Sequence, residues 1–316
     1  RFLLRETEVS VQARAGHWRR DVSSVAAYAA SIEPNRVRLA RLIGLREARL
    51  KFADIELVAT PSQPALVGKG NGFDVYAVRW PVFEGVNGEG LWLEPTGREP
   101  WARVVVVPDC EQTPEALVGL SAGIPAESQI ARRLAESGCR VIVPTLVNRG
   151  RELSVIAGGR RRSTASHREI LYRAAYQMGR HLIGYEVQKI LAAVDWFSSS
   201  AGAEGIGVVG YGEGGLLALY AAALDPRIGT TGVSGYFDSR QDLWREPIDR
   251  NVFGLLREFG DAEIASLILP RALVVEAAAA PELVIRPGGD AAPGLFSQAD
   301  GARGERTVGR RRAMKE

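Results

Sequence analysis

The chain has 316 residues, 46% of them apolar, and a formal net charge of +3. That much apolar chain can bury a large core, which excludes a disordered or fibrous protein and fits one decorated α/β domain or two small ones. The near balance of charge argues against nucleic acid as a partner: the basic residues are scattered, apart from Arg160-Arg161-Arg162 and Arg310-Arg311-Arg312, which read as solvated loops.

Residues 1–60 mix charged and apolar positions. Val25–Tyr28 and Val37–Leu50 have helical spacing, with Leu39, Leu42, Ile43 and Leu50 on one side and Pro34-Asn35 between them as a break. The expectation is an N-terminal helical extension, 1–72, followed by an α/β domain over 73–316. His17 and Trp18 read as surface and packing residues. Phe73–Leu93 alternates strongly around Gly85-Val86-Asn87-Gly88, the pattern of two antiparallel strands.

Ala102–Val107 is a continuous apolar run, as a strand buried on both faces requires. Ser128–Ser137 reads as a helix stopped by Gly138, and Arg140–Pro144 as the next buried strand. A polar loop, Leu146–Ser166, leads into helix from His167 to about Phe197, interrupted at Gly179 and Gly184. Further strands are expected near Gly232–Phe237 and, buried, at Ala272–Val275 behind Pro270-Arg271.

Between these lies Ile206–Leu224, a short apolar strand, a glycine turn and a helix that stops at Asp225-Pro226. Gly210-Tyr211-Gly212-Glu213-Gly214 has the spacing of a nucleophile elbow, G-x-S-x-G. The flanking glycines suit a turn where a Cβ would strike the neighbouring strand and helix. The central position, however, is Gly212, which has no side chain to attack anything. Two other readings compete. Gly210, Gly212 and Gly215 nearly spell a dinucleotide fingerprint, with Asp238 as the acid after the next strand. A glycine-rich packing turn without a ligand is the simplest alternative.

Two antiparallel strands followed by alternating strand and helix imply a mostly parallel sheet with helices on both faces. Sites in such sheets form beyond the carboxyl ends of the strands. That places Asp109–Gln112, Asn148-Arg149, Gly212-Glu213, Asp238 and Glu276 on one face, with Arg180 and His181 returning to it. Cys110 and Cys139 fall at opposite ends of neighbouring strands and are not expected to pair. With two cysteines the compartment is left open.

No apolar run is long enough for a membrane span, and no signal peptide is visible. The chain begins at Arg1 rather than methionine and stops in a charged segment, so a piece of a longer protein is expected.

The order of elements over 73–290 resembles the α/β-hydrolase fold. Gly-Tyr-Gly-Glu-Gly-Gly resembles the dienelactone hydrolase elbow, in which a cysteine stands where this chain has Gly212. FGDAEIASLILPRALVVEA resembles the corresponding part of bacterial acetyl-xylan-esterase and dienelactone-hydrolase-like proteins. The resemblance implies a carboxylic-ester hydrolase acting on a small-molecule or carbohydrate ester. It further implies one oxyanion N–H from Glu213, another from the loop Asp109–Glu111, and a triad acid at Glu276 or Glu282. A catalytic histidine would follow one further strand. The three histidines, His17, His167 and His181, all precede the elbow. The domain is therefore expected to lack its last strand and histidine loop.

Acyl transfer needs a nucleophile, a base and donors aimed at the oxyanion. Without the triad, binding and oxyanion donors alone leave on the order of 10³-fold over water. Two functions fit: a pseudoenzyme that binds or scaffolds with the retained pocket, or direct attack by water activated at Glu213, Asp109, Glu276 or His181. Each residue also has a plain structural role open to it. Glu213 would favour the positive end of a helix dipole, His181 could pack beside a helix break, and Asp109 could close a turn. Glu276, a charge ending an apolar strand, calls for a partner. No H-x-x-H or paired-cysteine spacing indicates a metal, and no cofactor is expected.

Overall fold

The structure is a computed structural model that describes residues 1–152, 165–199, 205–281, 283–285 and 306–308. The two triple-arginine runs and Glu282 lie outside the described residues, as does most of the chain beyond 285, where the expectation of a missing strand and histidine loop falls.

Residues 73–95 form the expected hairpin, β3 (Phe73–Phe83) and β4 (Val86–Pro95), preceded by two short strands, β1 (Glu56–Leu57) and β2 (Leu66–Gly70). The turn sits at Glu84-Gly85, because Asn87 and Gly88 already pair with Pro81 and Trp80. The buried runs become β5 (Arg103–Val107), β6 (Arg140–Pro144), β7 (Ile206–Tyr211), β8 (Thr230–Ser234) and β9 (Ala272–Glu276). Among the described residues these make one sheet in the order β1-β3-β4-β6-β5-β7-β8-β9, with β2 also on β3. The strands β6, β5, β7, β8 and β9 run parallel, and β4 joins them antiparallel. The strand after β9, β10 (Leu283–Ile285), pairs with β11 (Arg306–Val308) in a separate ribbon.

Helices cover the sheet. On the chain's N-terminal side lie α1 (Phe2–Ala13) and α2 (Val25–Leu42). The crossovers carry α3 (Pro114–Val118), α4 (Ile130–Glu136), α5 (His167–Gln177), α6 (Leu182–Ser199), α7 (Glu213–Leu224) and α8 (Asp261–Ser266). The innermost are α6 and α7: every residue of α7 from Glu213 to Ala223 is buried. A helix apolar on all sides reads as a core helix, and α7 lies between the sheet and α2.

Several expectations need correction. Pro34 does not break the first long helix; it sits inside α2. A proline costs the helix a hydrogen bond and about 3 kcal/mol, but Ile32 and Leu39 are fully buried on either side of it, and packing outweighs the local loss. The helix stops at Leu42 instead of reaching Leu50, because the chain turns at Gly44, where φ is +73°. Gly184 does not interrupt α6; it lies inside the helix against the Ile43 carbonyl, and the break is at Gly179. Strand β9 is largely exposed, with Val274 at 62%, so it is an edge among the described residues instead of a buried strand. Finally, a boundary at residue 72 would cut the sheet, since β1 and β2 precede it and both pair with β3.

Both cysteines are free and buried, Cys110 just after β5 and Cys139 just before β6. No helix among the described residues is long and apolar enough to cross a membrane.

Candidate active site

The elbow forms as its spacing predicts. β7 ends at Tyr211, α7 begins at Glu213, and Gly212 between them holds φ +58° and ψ −118°. That backbone is strained for any residue with a side chain. A Cβ at Gly210 would overlap the Gly214 carbonyl, and one at Gly214 would overlap the carbonyls of Val107 and Pro108. The flanking glycines are therefore dictated by the close approach of β5, β7 and α7.

The position of the missing nucleophile is not open space. A Cβ at Gly212 would lie closer than 3.0 Å to Asp109 Oδ2 and to Pro281 Cγ. Asp109 leaves the end of β5 and turns its carboxylate onto the elbow. Its Oδ2 accepts the backbone N–H of Glu213 at 2.9 Å, and its Oδ1 accepts that of Glu111 at 3.0 Å. Those are the groups the resemblance assigns to an oxyanion hole. Here a carboxylate of the chain itself occupies the hole, and Asp109 is only 2% exposed. The segment after β9 crosses above, tied by Tyr211 Oη donating to the Ala279 carbonyl at 3.1 Å.

Below the elbow lies a buried ionic cluster. The Glu213 carboxylate accepts from Arg250 Nε at 2.8 Å, Arg149 Nη2 at 3.1 Å and Arg168 Nη2 at 3.1 Å. Arg168 is the hub, because its fork also donates to Asp249 at 2.6 Å and to both oxygens of Glu186 at 3.1 and 3.0 Å. The side chains of Arg168, Glu186, Glu213 and Asp249 are all fully buried. Three carboxylates balance three guanidiniums, which is what allows charge so deep in a protein. Burial by itself would raise the Glu213 carboxyl, but Arg250, Arg168 and Arg149 outweigh it and hold the group well below the usual carboxylate range. Burial would likewise lower Arg168, and Glu186, Glu213 and Asp249 reverse this. The cluster ties the loop after β6 and the start of α5 to α7. Val147 gives its N–H to Glu186 and its carbonyl to Arg168, and Arg149 gives its backbone N–H to Glu111 at 2.9 Å.

Known proteins share parts of this geometry. Residues 89–244, from β4 to just past β8, match the Dienelactone hydrolase family. That stretch, just under half of the chain, is similar to the family. Among solved structures, a candidate acetyl xylan esterase from Bacteroides fragilis aligns with a TM-score of 0.60 at 14% identity, covering 85% of this chain and 74% of that one. A glucuronoyl esterase from Solibacter usitatus aligns with a TM-score of 0.50 at 12% identity, covering 80% and 75%. No curated protein sequence matches the chain. The fold is thus that of the α/β-hydrolases.

The dinucleotide reading gives way to this assignment. The N–H at the start of α7 already holds a carboxylate, and Asp238 accepts from the next backbone N–H, of Ser239.

The residues singled out from the sequence fall into two groups. Gly212, Glu213 and Asp109 meet at the elbow; among the described residues no hydrogen bond or ion pair joins Glu276 or His181 to them. Glu213 is a clamped ionic anchor, fully buried and accepting from three guanidiniums. His181 is buried, and both ring nitrogens are used: Nδ1 accepts the Ile183 N–H at 3.0 Å and Nε2 donates to the Asn251 carbonyl at 3.1 Å. That fixes the neutral, Nε2-protonated ring, and burial lowers its pKa to about 4. It caps the N-terminus of α6.

Glu276 is exposed at the end of β9 and lines a cavity of about 490 Å³ with Gln112, Arg133, Tyr211 and Ser234. This cavity lies beside the elbow; neither Asp109 nor Gly212 lines it. Among the described residues no cluster of three or more histidine, cysteine or acidic side chains could hold a metal.

The hub residues Arg168, Asp249, Arg250 and Glu186 were not singled out from the sequence. One signal was present: Glu186 sits, with Gln188 and Lys189, in the mostly apolar run LIGYEVQKILAAV, and a charge in a core helix requires partners. Which partners it takes is decided by the fold.

Proposed function

We propose that the protein hydrolyses a carboxylic ester, of small-molecule or carbohydrate type, without a covalent nucleophile, and that Asp109 is the base. The observation that carries this is the Asp109 carboxylate, held at the position a nucleophile's side chain would take and bonded to the Glu213 N–H. The names of the structural neighbours, a candidate acetyl xylan esterase and a glucuronoyl esterase, support the substrate class.

In this reaction the substrate carbonyl oxygen takes the Glu213 N–H from Asp109. Asp109 accepts a proton from water as the water oxygen bonds to the carbonyl carbon. The tetrahedral intermediate then expels the alcohol oxygen, which takes that proton from Asp109. The products are a carboxylic acid and an alcohol, and Asp109 returns to its charged form. A positioned base contributes about 10²–10⁴-fold and one oxyanion donor about 10²–10³-fold, so slow turnover is expected.

A second reading is favoured by Pro281, which with Asp109 fills the space where a side chain at Gly212 would stand. On that reading the closed elbow binds without turnover. Hydrolysis of short-chain aryl esters by wild type and Asp109→Asn separates the two. The substituted amide keeps an oxygen to accept the N–H but cannot take a proton. Turnover in wild type, lost in a variant that still melts cooperatively, is the expected result. Turnover equal to buffer in both would remove the hydrolase reading.

A further inference from the structure

A second surface, away from the elbow, carries a concentrated charge that the ester reading does not use. Two hollows, of about 820 and about 400 Å³, share Arg41, Leu42 and Phe253 and so form one groove. The first hollow adds Arg19, Arg38 and Arg257, the second Arg46 and Arg180. Six arginines thus face one lining carboxylate, Glu258, while the whole chain carries only +3. Glu258 is spent on Arg38, and Arg180 pairs with Glu47 at the rim. Arg19, Arg41 and Arg257 are exposed and make no ion pair among the described residues.

The groove is not purely basic. Phe253 stands 77% exposed at the junction of its halves, and Tyr176 is 45% exposed in the second. Ser31 and Asn35 add neutral polar groups to its wall. A large aromatic exposed in a concave, positively charged surface marks a binding site more than a solubility device.

We propose that this groove binds an acidic oligosaccharide, a chain of sugar rings bearing carboxylates. Arginine forks match carboxylates in bidentate geometry. The Phe253 face offers a platform for the apolar side of a sugar ring, and the second oxygen of Glu258 can meet a hydroxyl. A nucleic acid fits less well. Sequence-tolerant strand binding uses several aromatics in succession along a basic track, and a carboxylate in the wall repels phosphates while it accepts from hydroxyls. A lipid surface fits a convex or flat face, not a groove. The inference does not depend on turnover at the elbow.

The test is binding of a galacturonate hexasaccharide to the full chain by calorimetry, beside neutral xylohexaose and a short oligo-dT of equal charge. Arg41→Ser combined with Arg257→Ser, and Phe253→Ala, are the variants; all three positions are exposed, so folding is checked simply by melting temperature. The expected result is hexagalacturonate binding that weakens about tenfold or more in the double arginine variant, since each exposed charge pair removed is worth a few-fold. Phe253→Ala should weaken it several-fold, and xylohexaose should not bind. Equal binding by wild type and the arginine variant, no effect of Phe253→Ala, or tighter binding of oligo-dT would each overturn the proposal.

Discussion

At Gly212 a single atom decides between two chemistries. A serine there would bring back the motif, yet its Cβ would strike Asp109 Oδ2 and Pro281 Cγ on a strained backbone. Gly212→Ser is therefore expected to lower stability by about 1–3 kcal/mol and to give no gain in ester hydrolysis; a urea titration and an aryl-ester assay check both. Arg168 is the other residue on which much rests. Replacing it by alanine leaves Glu186, Glu213 and Asp249 buried with one fewer guanidinium. Breaking such a pair costs about 3–5 kcal/mol, which denaturant unfolding will read. Arg168→Ala with Glu213→Gln should cost clearly less than the two singles added together, because the second change removes one of the charges the first strands.

At the level of elements, side chains from distant parts of the chain finish the helices. Arg271, behind Pro270, donates to the carbonyls of Ala222, Asp225, Ile228 and Leu267, closing the C-terminal end of α7. Arg36 of α2 donates to Ala223 at the same end. Positive charge there also complements the helix dipole. Arg271→Met should cost about 2–4 kcal/mol, since several buried carbonyls lose their donor at once; thermal unfolding measures it.

His181 gives the element scale a pH dependence with a definite sign. The folded ring stays neutral down to a pKa of about 4, against 6.5 for an unperturbed histidine. Between these values the unfolded chain binds the extra proton, so stability falls as the pH drops from about 6.5 to about 4. Asparagine can still cap α6. His181→Asn should therefore flatten the fall in urea midpoint between pH 7 and pH 5 relative to wild type.

For the whole molecule, the same linkage applies to Glu213 lower on the pH scale. Its folded pKa lies below the ordinary value of 4.5, so the cluster's contribution is full above that pH and is lost as the pH falls beneath it. The N-terminal helices belong to this same body. Ile32, Leu39 and Ile43 are fully buried, Trp18 packs edge-on to Phe259 at 5.6 Å, and its Nε1 donates to the Glu258 carbonyl at 2.9 Å. Removing residues 1–42 strips the cover from α7 and is expected to give a protein that does not fold cooperatively. A cooperative melt in that truncation would show that the helices are an independent addition.

The sequence by itself determined the strands and the elbow. Apolar runs such as Ala102–Val107 and Ile206–Val209 have one stable use, a strand buried on both faces, and Gly210-x-Gly212-x-Gly214 has few geometries that avoid collision. Short-range patterning also yielded the hairpin and the split between α5 and α6. Only the tertiary structure decided the site. Asp109 and Glu213 lie 104 positions apart, and no local pattern says that one carboxylate fills the N–H of the other. The partners of Arg168 come from three separate crossovers, and a buried charge chooses its counter-ions by packing in three dimensions. The same reason overrode Pro34: local propensity is worth a few kcal/mol, and the burial of α2 against α7 is worth more.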